Sequence, residues 1–318
     1  MADPTRVDRM AVVAGIDALR AELGRLFIVV GVFDGLHLGH LYLLGRLREE
    51  AARRNASPAV ITFDHHPDEI LTGAAPPLLC DADERLERLA AAGVEVTVVQ
   101  HFDVALRMTE FDEFIRRIAR GAPLAGILMT PDSAFGHERR GTPEAVATLG
   151  SVLGYDVEVI PALELDGRPV RSGEIRSDIA AGDLAGAARL LGRPYAVVGE
   201  GRPAAGGRLE LVVPMPVALP PAGDYPVRIA SVPGPGDAAG AEAAGAEAAG
   251  SATVDAGGGL AMSGVAASGI PAHGSRWRVV FPGKRGRRPR LRVRPDLPSC
   301  VTRPQARRRS GAGGPRTS

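Results

Sequence analysis

Apolar and polar positions along the first two hundred residues form short apolar runs separated by longer amphipathic stretches. Residues 26–32 read LFIVVGV, an apolar run rich in branched side chains, which predicts a buried parallel strand. A helix follows over about 38–54, and residues 59–63 (AVITF) give a second strand. Asp81 with Glu84 opens a helix in capping-box fashion; it runs to Ala92 and ends at Gly93. Residues 94–99 are the third strand, and Thr109 with Asp112 predicts the cap of a helix through Arg120. Residues 126–129 are the fourth strand. Thr142-Pro143-Glu144 then starts a helix to Leu153, with proline in the first turn where it is tolerated. Residues 157–160 are the fifth strand. A last helical stretch over 174–191 breaks near Gly182-Asp183 and is stopped by Gly192 and Pro194. Strands alternating with helices predict an α/β fold, a doubly wound parallel five-stranded sheet of Rossmann-like type.

The periodicity changes after Tyr195. Residues 208–230 carry enough apolar positions for two or three short strands. Residues 231–274 include AAGAEAAGAEAAG and lack lysine and arginine, which predicts a flexible Ala/Gly-rich linker. Residues 276–294 alternate weakly and predict one or two strands, and the Arg-rich end reads as disordered. The expected organisation is an N-terminal segment over 1–25, an α/β domain over 26–198, a β-rich region over 199–230, the linker over 231–274, and a basic segment over 275–318. A fragment ending near residue 200 is expected to fold alone.

Composition changes this picture in one respect. The net charge of +1 hides a division: residues 276–318 hold 14 basic residues against one acid, leaving an acidic body. Lys284 is the only lysine, so any phosphate-binding cation in the body must be arginine or histidine, helped by backbone amides. The tail has few aromatics and no base-reading motif, so specific nucleic-acid binding is not expected. Cys80 and Cys300 form neither a metal-ligand spacing nor a disulfide framework, and no protein metal site is identified. The N-terminal stretch lacks the apolar core of a signal peptide, and no apolar run reaches a membrane span. The expectation is a cytoplasmic protein without a membrane partner; oligomeric state is left open.

Candidate chemistry lies in four segments. The first is Gly31-Val32-Phe33-Asp34-Gly35-Leu36-His37-Leu38-Gly39-His40, between a strand and a helix. Gly35 and Gly39 would allow backbone and phosphate to approach, and helix amides attract phosphate. His37 and His40, three apart, would both face one ligand and donate to its oxygens. The alternative makes both histidines structural and Asp34 a helix cap. The second is Thr62-Phe63-Asp64-His65-His66-Pro67, at the carboxyl end of a parallel strand, where ligands bind in such folds. The third is Asp132-Ser133-Ala134-Phe135-Gly136, followed by Arg139-Arg140-Gly141. The fourth is Arg171-Ser172-Gly173-Glu174-Ile175-Arg176, where Ser172 would cap a helix and Arg176 would clamp phosphate.

These segments resemble, in order, the motifs of the bacterial FAD synthetase family, within the nucleotidyltransferases that carry His-x-Gly-His. The first matches Gly-x-Phe-Asp-Gly-x-His-x-Gly-His throughout. His66-Pro67 match Thr-Phe-x-x-His-Pro; Asp132, Phe135 and Gly136 match the third motif, while Thr130, Pro131 and Ser133 depart from it. Ser172, Ile175 and Arg176 match the fourth, where Arg171 and Gly173 replace a serine and a threonine. The resemblance covers about 170 residues and implies transfer of AMP from ATP to FMN, giving FAD and pyrophosphate, with Mg2+ screening the phosphates. It implies that His37, His40, Ser172 and Arg176 serve ATP, and that His66 and Asp132 serve the flavin nucleotide. Gly31, Phe33, Asp34, Gly35, Gly39, Thr62, Pro67, Phe135 and Gly136 would shape the binding surfaces. Two alternatives stay open: another phosphorylated acceptor, and an impaired copy that binds nucleotide or flavin without turnover.

Residues 208–230 also resemble the start of the family's riboflavin kinase barrel, notably Leu219-Pro220-Pro221-Ala222-Gly223-Asp224-Tyr225. The kinase motif Gly-Phe-Pro-Thr-Ala-Asn has no counterpart, since Asn55 is the only asparagine, and no glutamate follows Glu247. Kinase activity is therefore expected to be absent.

Overall fold

The computed structural model describes residues 10–204, 208–213, 215–232, 248–263, 276–282 and 291–293. Its first layer set contains strands β1 (Ala11–Ala14), β2 (Leu26–Val30), β3 (Ser57–Phe63), β4 (Val96–Gln100), β5 (Leu124–Met129) and β6 (Asp156–Val159). They form one sheet in the order β1-β4-β3-β2-β5-β6, with every pair parallel. The interleaved helices are α1 (Leu38–Arg53), α2 (Pro67–Thr72), α3 (Ala82–Ala91), α4 (Val104–Arg107), α5 (Phe111–Gly121) and α6 (Pro143–Leu153). Alternate residues of β2 enter opposite cores. Leu26 and Ile28 pack with Ile61, Val98 and Ile115, while Phe27 and Val29 pack with Val60, Leu44 and Leu47. A strand buried on both faces needs the unbroken apolar run seen in the sequence. The chain winds outward from β2 through β3 to β4, then returns to β2's other side with β5. That reversal opens a crevice at the carboxyl ends of β2 and β5.

The α/β expectation holds, with six strands in place of five. The extra strand, β1, lies within the stretch read as an N-terminal segment and pairs with β4 at the sheet edge. Four residues on an edge give too short an alternation to stand out. Thr109 does not cap α5: the cap position is Glu110, without a side-chain cap bond, and the Thr109 hydroxyl donates to the Ala105 carbonyl at 2.9 Å.

Beyond β6 come β7 (Leu163–Leu165), β8 (Arg168–Pro169), α7 (Ser172–Ala180) and α8 (Leu184–Leu191). The chain then enters a closed six-stranded barrel of β9 (Tyr195–Ala204), β10 (Arg208–Val212), β11 (Gly223–Val232), β12 (Ala248–Val254), β13 (Leu260–Ser263) and β14 (Arg276–Phe281). β15 (Leu291–Val293) pairs with β7. This corrects the reading of 231–274 as a linker, because β12 and β13 lie inside it; residues 233–247 and 264–275 fall outside the described residues. The small residues there are a packing requirement. A Cβ on Gly250 would stand 2.7 Å from both Ile229 and the Ser263 carbonyl. Most of the basic tail also lies outside the described residues. Among the described residues, no helix is long and apolar enough to cross a membrane.

One apolar core runs from the barrel into its neighbour. Leu79, Leu163, Val170, Ile175 and Leu190 share it with Tyr195, Leu211, Met262, Trp277 and Phe281. The segment around Leu78 is stitched to the barrel: Leu78 N–H donates to the Pro216 carbonyl and Ala218 N–H to the Leu78 carbonyl, both at 2.9 Å. Arg276 of β14 reaches Asp81 and Asp83. Uncovering a buried Leu or Phe costs about 1.5–3 kcal/mol, so several such losses exhaust a typical stability of about 5–15 kcal/mol. A fragment ending at residue 200, expected from sequence to stand alone, should therefore melt well below the full chain or precipitate. Thermal unfolding of the fragment and the full chain side by side checks this; equal melting temperatures would refute the shared core.

Candidate active site

The turn between β2 and α1 is held in an unusual backbone conformation. Phe33 has φ 54, Gly35 φ 76 and Leu36 φ 37. Gly35 can adopt this freely; Phe33 and Leu36 each cost about 1–3 kcal/mol there, so surrounding contacts must hold them. Phe33 and Leu36 are both buried in the core under α1. Asp34, 3% exposed, accepts from the Leu79 amide at 2.8 Å through Oδ1. Its Oδ2 accepts from Arg176 Nη2 of α7 at 2.6 Å. The Ser172 hydroxyl donates to the Asp34 carbonyl at 3.1 Å, and Arg193 Nη2 donates to the Gly35 carbonyl at 2.8 Å. The Gly35 amide points at the Cys80 sulfur, 3.3 Å away, and burial pushes that thiol up to about 12.

Several expected roles change. Gly35 is small because Leu79 packs against it: a Cβ would lie 2.8 Å from that side chain. Gly39 is small because α1 runs against the Val170 carbonyl, 2.6 Å from where its Cβ would be. Close approach here is thus protein on protein. Ser172 is the first residue of α7 and not its cap; Arg171 occupies the cap position without a side-chain cap bond. Arg176 is largely committed, with Nε donating to the Pro77 carbonyl at 2.8 Å and Nη2 to Asp34, which leaves Nη1 for a ligand. The two departures from the fourth motif, Arg171 and Gly173, are both exposed, and a Cβ on Gly173 would meet open space.

His37 caps α1: its Nδ1 accepts from the His40 amide at 3.2 Å. An accepting Nδ1 puts the ring proton of neutral His37 on Nε2, as a donor. The rings of His37 and His40 stack with centroids 3.7 Å apart, and Phe33 packs against His40 at 5.0 Å. Burial, then the charges of Arg193 and Arg176, lowers the His37 pKa to about 3. Burial, then His37, holds His40 well below its ordinary value. Both rings are neutral at physiological pH. His40 Nδ1 is buried with no hydrogen-bond partner among the described residues. Two neutral imidazoles at the start of a 16-residue helix can donate to an anion without first shedding protons.

A cavity of about 560 Å³ opens beside this turn, at the crevice between β2 and β5. Gly31 borders it, as do His66, Pro67, Phe135 and Gly136. Its apolar walls include Phe63, Phe102, Phe114 and Met108. The Phe63 and Phe102 rings meet edge to face at 5.2 Å. His66 caps α2 by accepting from the Asp68 amide at 3.2 Å, with Pro67 in the first turn; burial lowers its pKa. Thr62 is fully buried and links two strand ends, its hydroxyl donating to the Val32 carbonyl at 3.0 Å. Gly136 has φ 76 and no room for a Cβ against Phe111. Asp132 is exposed and does not border the cavity.

The sequence segments thus divide between two neighbouring places. His37, His40, Ser172 and Arg176 gather around Asp34, whereas Gly31, His66, Pro67, Phe135 and Gly136 line the cavity. Sequence reasoning missed Phe102, Leu106, Met108 and Phe114 as cavity walls; a signal was available for Phe102, just past the carboxyl end of β4. It also missed Arg193, which a motif search does not mark.

A family profile described as FAD synthetase matches residues 19–174. The chain is 32% identical over 191 residues to a bifunctional riboflavin kinase/FMN adenylyltransferase of Pseudomonas fluorescens, covering 60% of this chain and 61% of that one. Proteins of the same description from Haemophilus influenzae and Escherichia coli K12 are each 30% identical, over 66% and 67% of this chain and 68% of their own. A solved Streptococcus pneumoniae structure titled as a macrolide-efflux protein superposes with a TM-score of 0.70 at 20% identity, over 86% of this chain and 89% of that one. That likeness concerns the fold alone.

The buried Asp34–Arg176 pair gives a test. Burial raises the Asp34 pKa above 3.8, against the lowering effects of the Leu79 amide and Arg176. Arg176→Ala should raise it further and cost about 3 kcal/mol, the lower end for breaking a buried pair. The loss should be complete above the folded-state pKa of Asp34 and fade as pH falls toward 3.8, where both states bind the proton. Urea unfolding of both proteins across acidic to neutral pH measures it; a pH-independent difference would show that Arg176 acts through packing.

Proposed function

Since this chain belongs to the FAD synthetase family, we propose that it is an FMN adenylyltransferase that joins AMP from ATP to FMN, releasing pyrophosphate. The observation that carries this reading is the juxtaposition of two neutral histidines at a helix start with an aromatic-walled cavity. Adenylyl transfer needs no protein nucleophile. It needs the FMN phosphate aligned with the α-phosphorus of ATP, and charge on the departing pyrophosphate compensated. His37, through Nε2–H, and His40 donate to phosphate oxygens as that charge develops. Ser172 and Nη1 of Arg176 lie at the same turn and bind the triphosphate. Phe63, Phe102 and Phe135 offer ring faces and edges to the flat isoalloxazine, which prefers offset or edge-on aromatic neighbours. Asp132, exposed and outside the cavity lining, is left without a role in this reading.

Magnesium enters this reading as part of the ATP substrate. Asp34, the carboxylate built into the turn, already serves a protein donor on each oxygen, Leu79 and Arg176, and no metal role is assigned to it. The ion's contribution is charge screening on the phosphates.

The Gly-Phe-Pro-Thr-Ala-Asn motif that the resemblance associates with riboflavin phosphorylation has no counterpart in the sequence. Thr253, taken from sequence as a linker residue, lies on β12 opposite Asp224. Its hydroxyl donates to that exposed carboxylate at 2.6 Å. No asparagine is available beside it, since Asn55 precedes β3. The reading is therefore synthesis of FAD from supplied FMN, in the cytoplasm, without the preceding phosphorylation.

Purified protein with ATP, magnesium and FMN should form FAD, followed by chromatography; riboflavin in place of FMN should give neither FMN nor FAD. ATP binding without FAD formation would favour an impaired copy, and steady FMN formation from riboflavin would restore the kinase. His40→Ala should lower turnover by about 10²–10³-fold, as loss of one transition-state donor does. Unchanged turnover would assign His40 to packing alone.

A further inference from the structure

Beyond the cavity's rim, and independent of the transfer reaction, three side chains converge at the ends of two neighbouring strands. The register pairs Phe63 of β3 with Gln100 of β4, so Asp64 and His101, the next residues, emerge side by side. The Asp64 amide donates to the Gln100 carbonyl at 3.2 Å and fixes that adjacency. Asp64 Oδ1 accepts from the His65 amide at 2.8 Å and the Phe102 amide at 3.1 Å, so the carboxylate is oriented by backbone. Its Oδ2 lies 2.6 Å from His101 Nδ1, and Oδ1 lies 3.1 Å from His65 Nδ1. One ligand atom from each of the three falls within 4.8 Å of the others. The two rings stand nearly perpendicular, with centroids 5.9 Å apart, and are open to solvent.

We propose that Asp64, His65 and His101 form a binding site for a divalent first-row transition cation of the zinc type, with a fourth position left to water. Two imidazole nitrogens and one carboxylate oxygen are the donor set that zinc and its neighbours take, at about 2.0–2.2 Å from the metal. Magnesium and calcium prefer all-oxygen shells and are excluded by the same donors. The amides on Asp64 supply the outer support that orients a metal-ligating carboxylate. The three ligand atoms sit on exposed or half-buried side chains, two of them rings open to solvent.

The site has a structural consequence. Residue 64 leads directly into His66 and Pro67, and residue 101 into Phe102 and α4. A bound cation clips together two walls of the cavity, His66 on one side and Phe102 on the other.

The test uses the full chain without any polyhistidine tag, and Zn2+ alone as the probe in equilibrium dialysis. One zinc per chain is expected, with affinity at least about 100-fold weaker in His65→Ala and in His101→Ala, since loss of even an outer partner of a ligand costs about 10–100-fold. Excess Mg2+ should not displace it. Both histidines are exposed, so these variants should fold; circular dichroism checks that. Co2+ should give intense tetrahedral visible absorption in the parent, lost in the double variant. Equal zinc affinity in parent and double variant, or no zinc uptake by the parent, would overturn the proposal and leave a hydrogen-bonded trio only.

Discussion

A single buried carboxylate organises this molecule. Asp34 sits in a turn whose backbone would not hold its left-handed residues unaided, and its two oxygens fasten that turn to two distant segments. Through Leu79 it takes hold of the stretch that pairs with the barrel. Through Arg176 it takes hold of α7. Placing a charge in a core is costly unless every lone pair is met, which is why amide and guanidinium are both present. The arrangement converts one residue's desolvation into a fixed position for the first turn of α1, and hence for both histidines.

The same burial decides the electrostatics of those histidines. An imidazole near Arg176 and Arg193, shielded from water, gains nothing from a second proton. The turn therefore presents neutral donors with fixed cations behind them. Such donors need no rearrangement when charge moves onto a leaving group. The adjoining cavity has the opposite character, apolar and ring-lined, so a ligand with one charged end and one flat aromatic end finds a place for each.

Much of this was legible in the sequence. The alternation of apolar runs and amphipathic stretches fixed the parallel sheet, because strands buried on both faces cannot avoid that pattern. The ten-residue first motif carried the helix start and its histidines. What escaped was long-range. Nothing in the text of the chain says that Arg176 meets Asp34, since a solvated arginine and a buried partner are spelled the same. Glycines 35 and 39 were marked as positions where backbone and phosphate approach; in the fold, Leu79 and the Val170 carbonyl stand where their Cβ atoms would be. β12 and β13 were hidden by a composition of Ala, Gly and Ser that looks like a linker. In a narrow closed barrel, small residues are needed where Ile229 and Trp277 cross the interior, as Gly250 and Gly201 show.

The core shared between the barrel and the β7-to-α8 segment bears on how such a chain can change over time. If a barrel holds up its neighbour by filling space, its outward chemistry is free to drift while its inward volume is not. Loss of a reaction on that surface then need not lead to loss of the fold that hosted it. The barrel becomes a buttress, retained for what it props: the strand-like segment at Leu78, wedged between the barrel wall and the turn that holds Asp34.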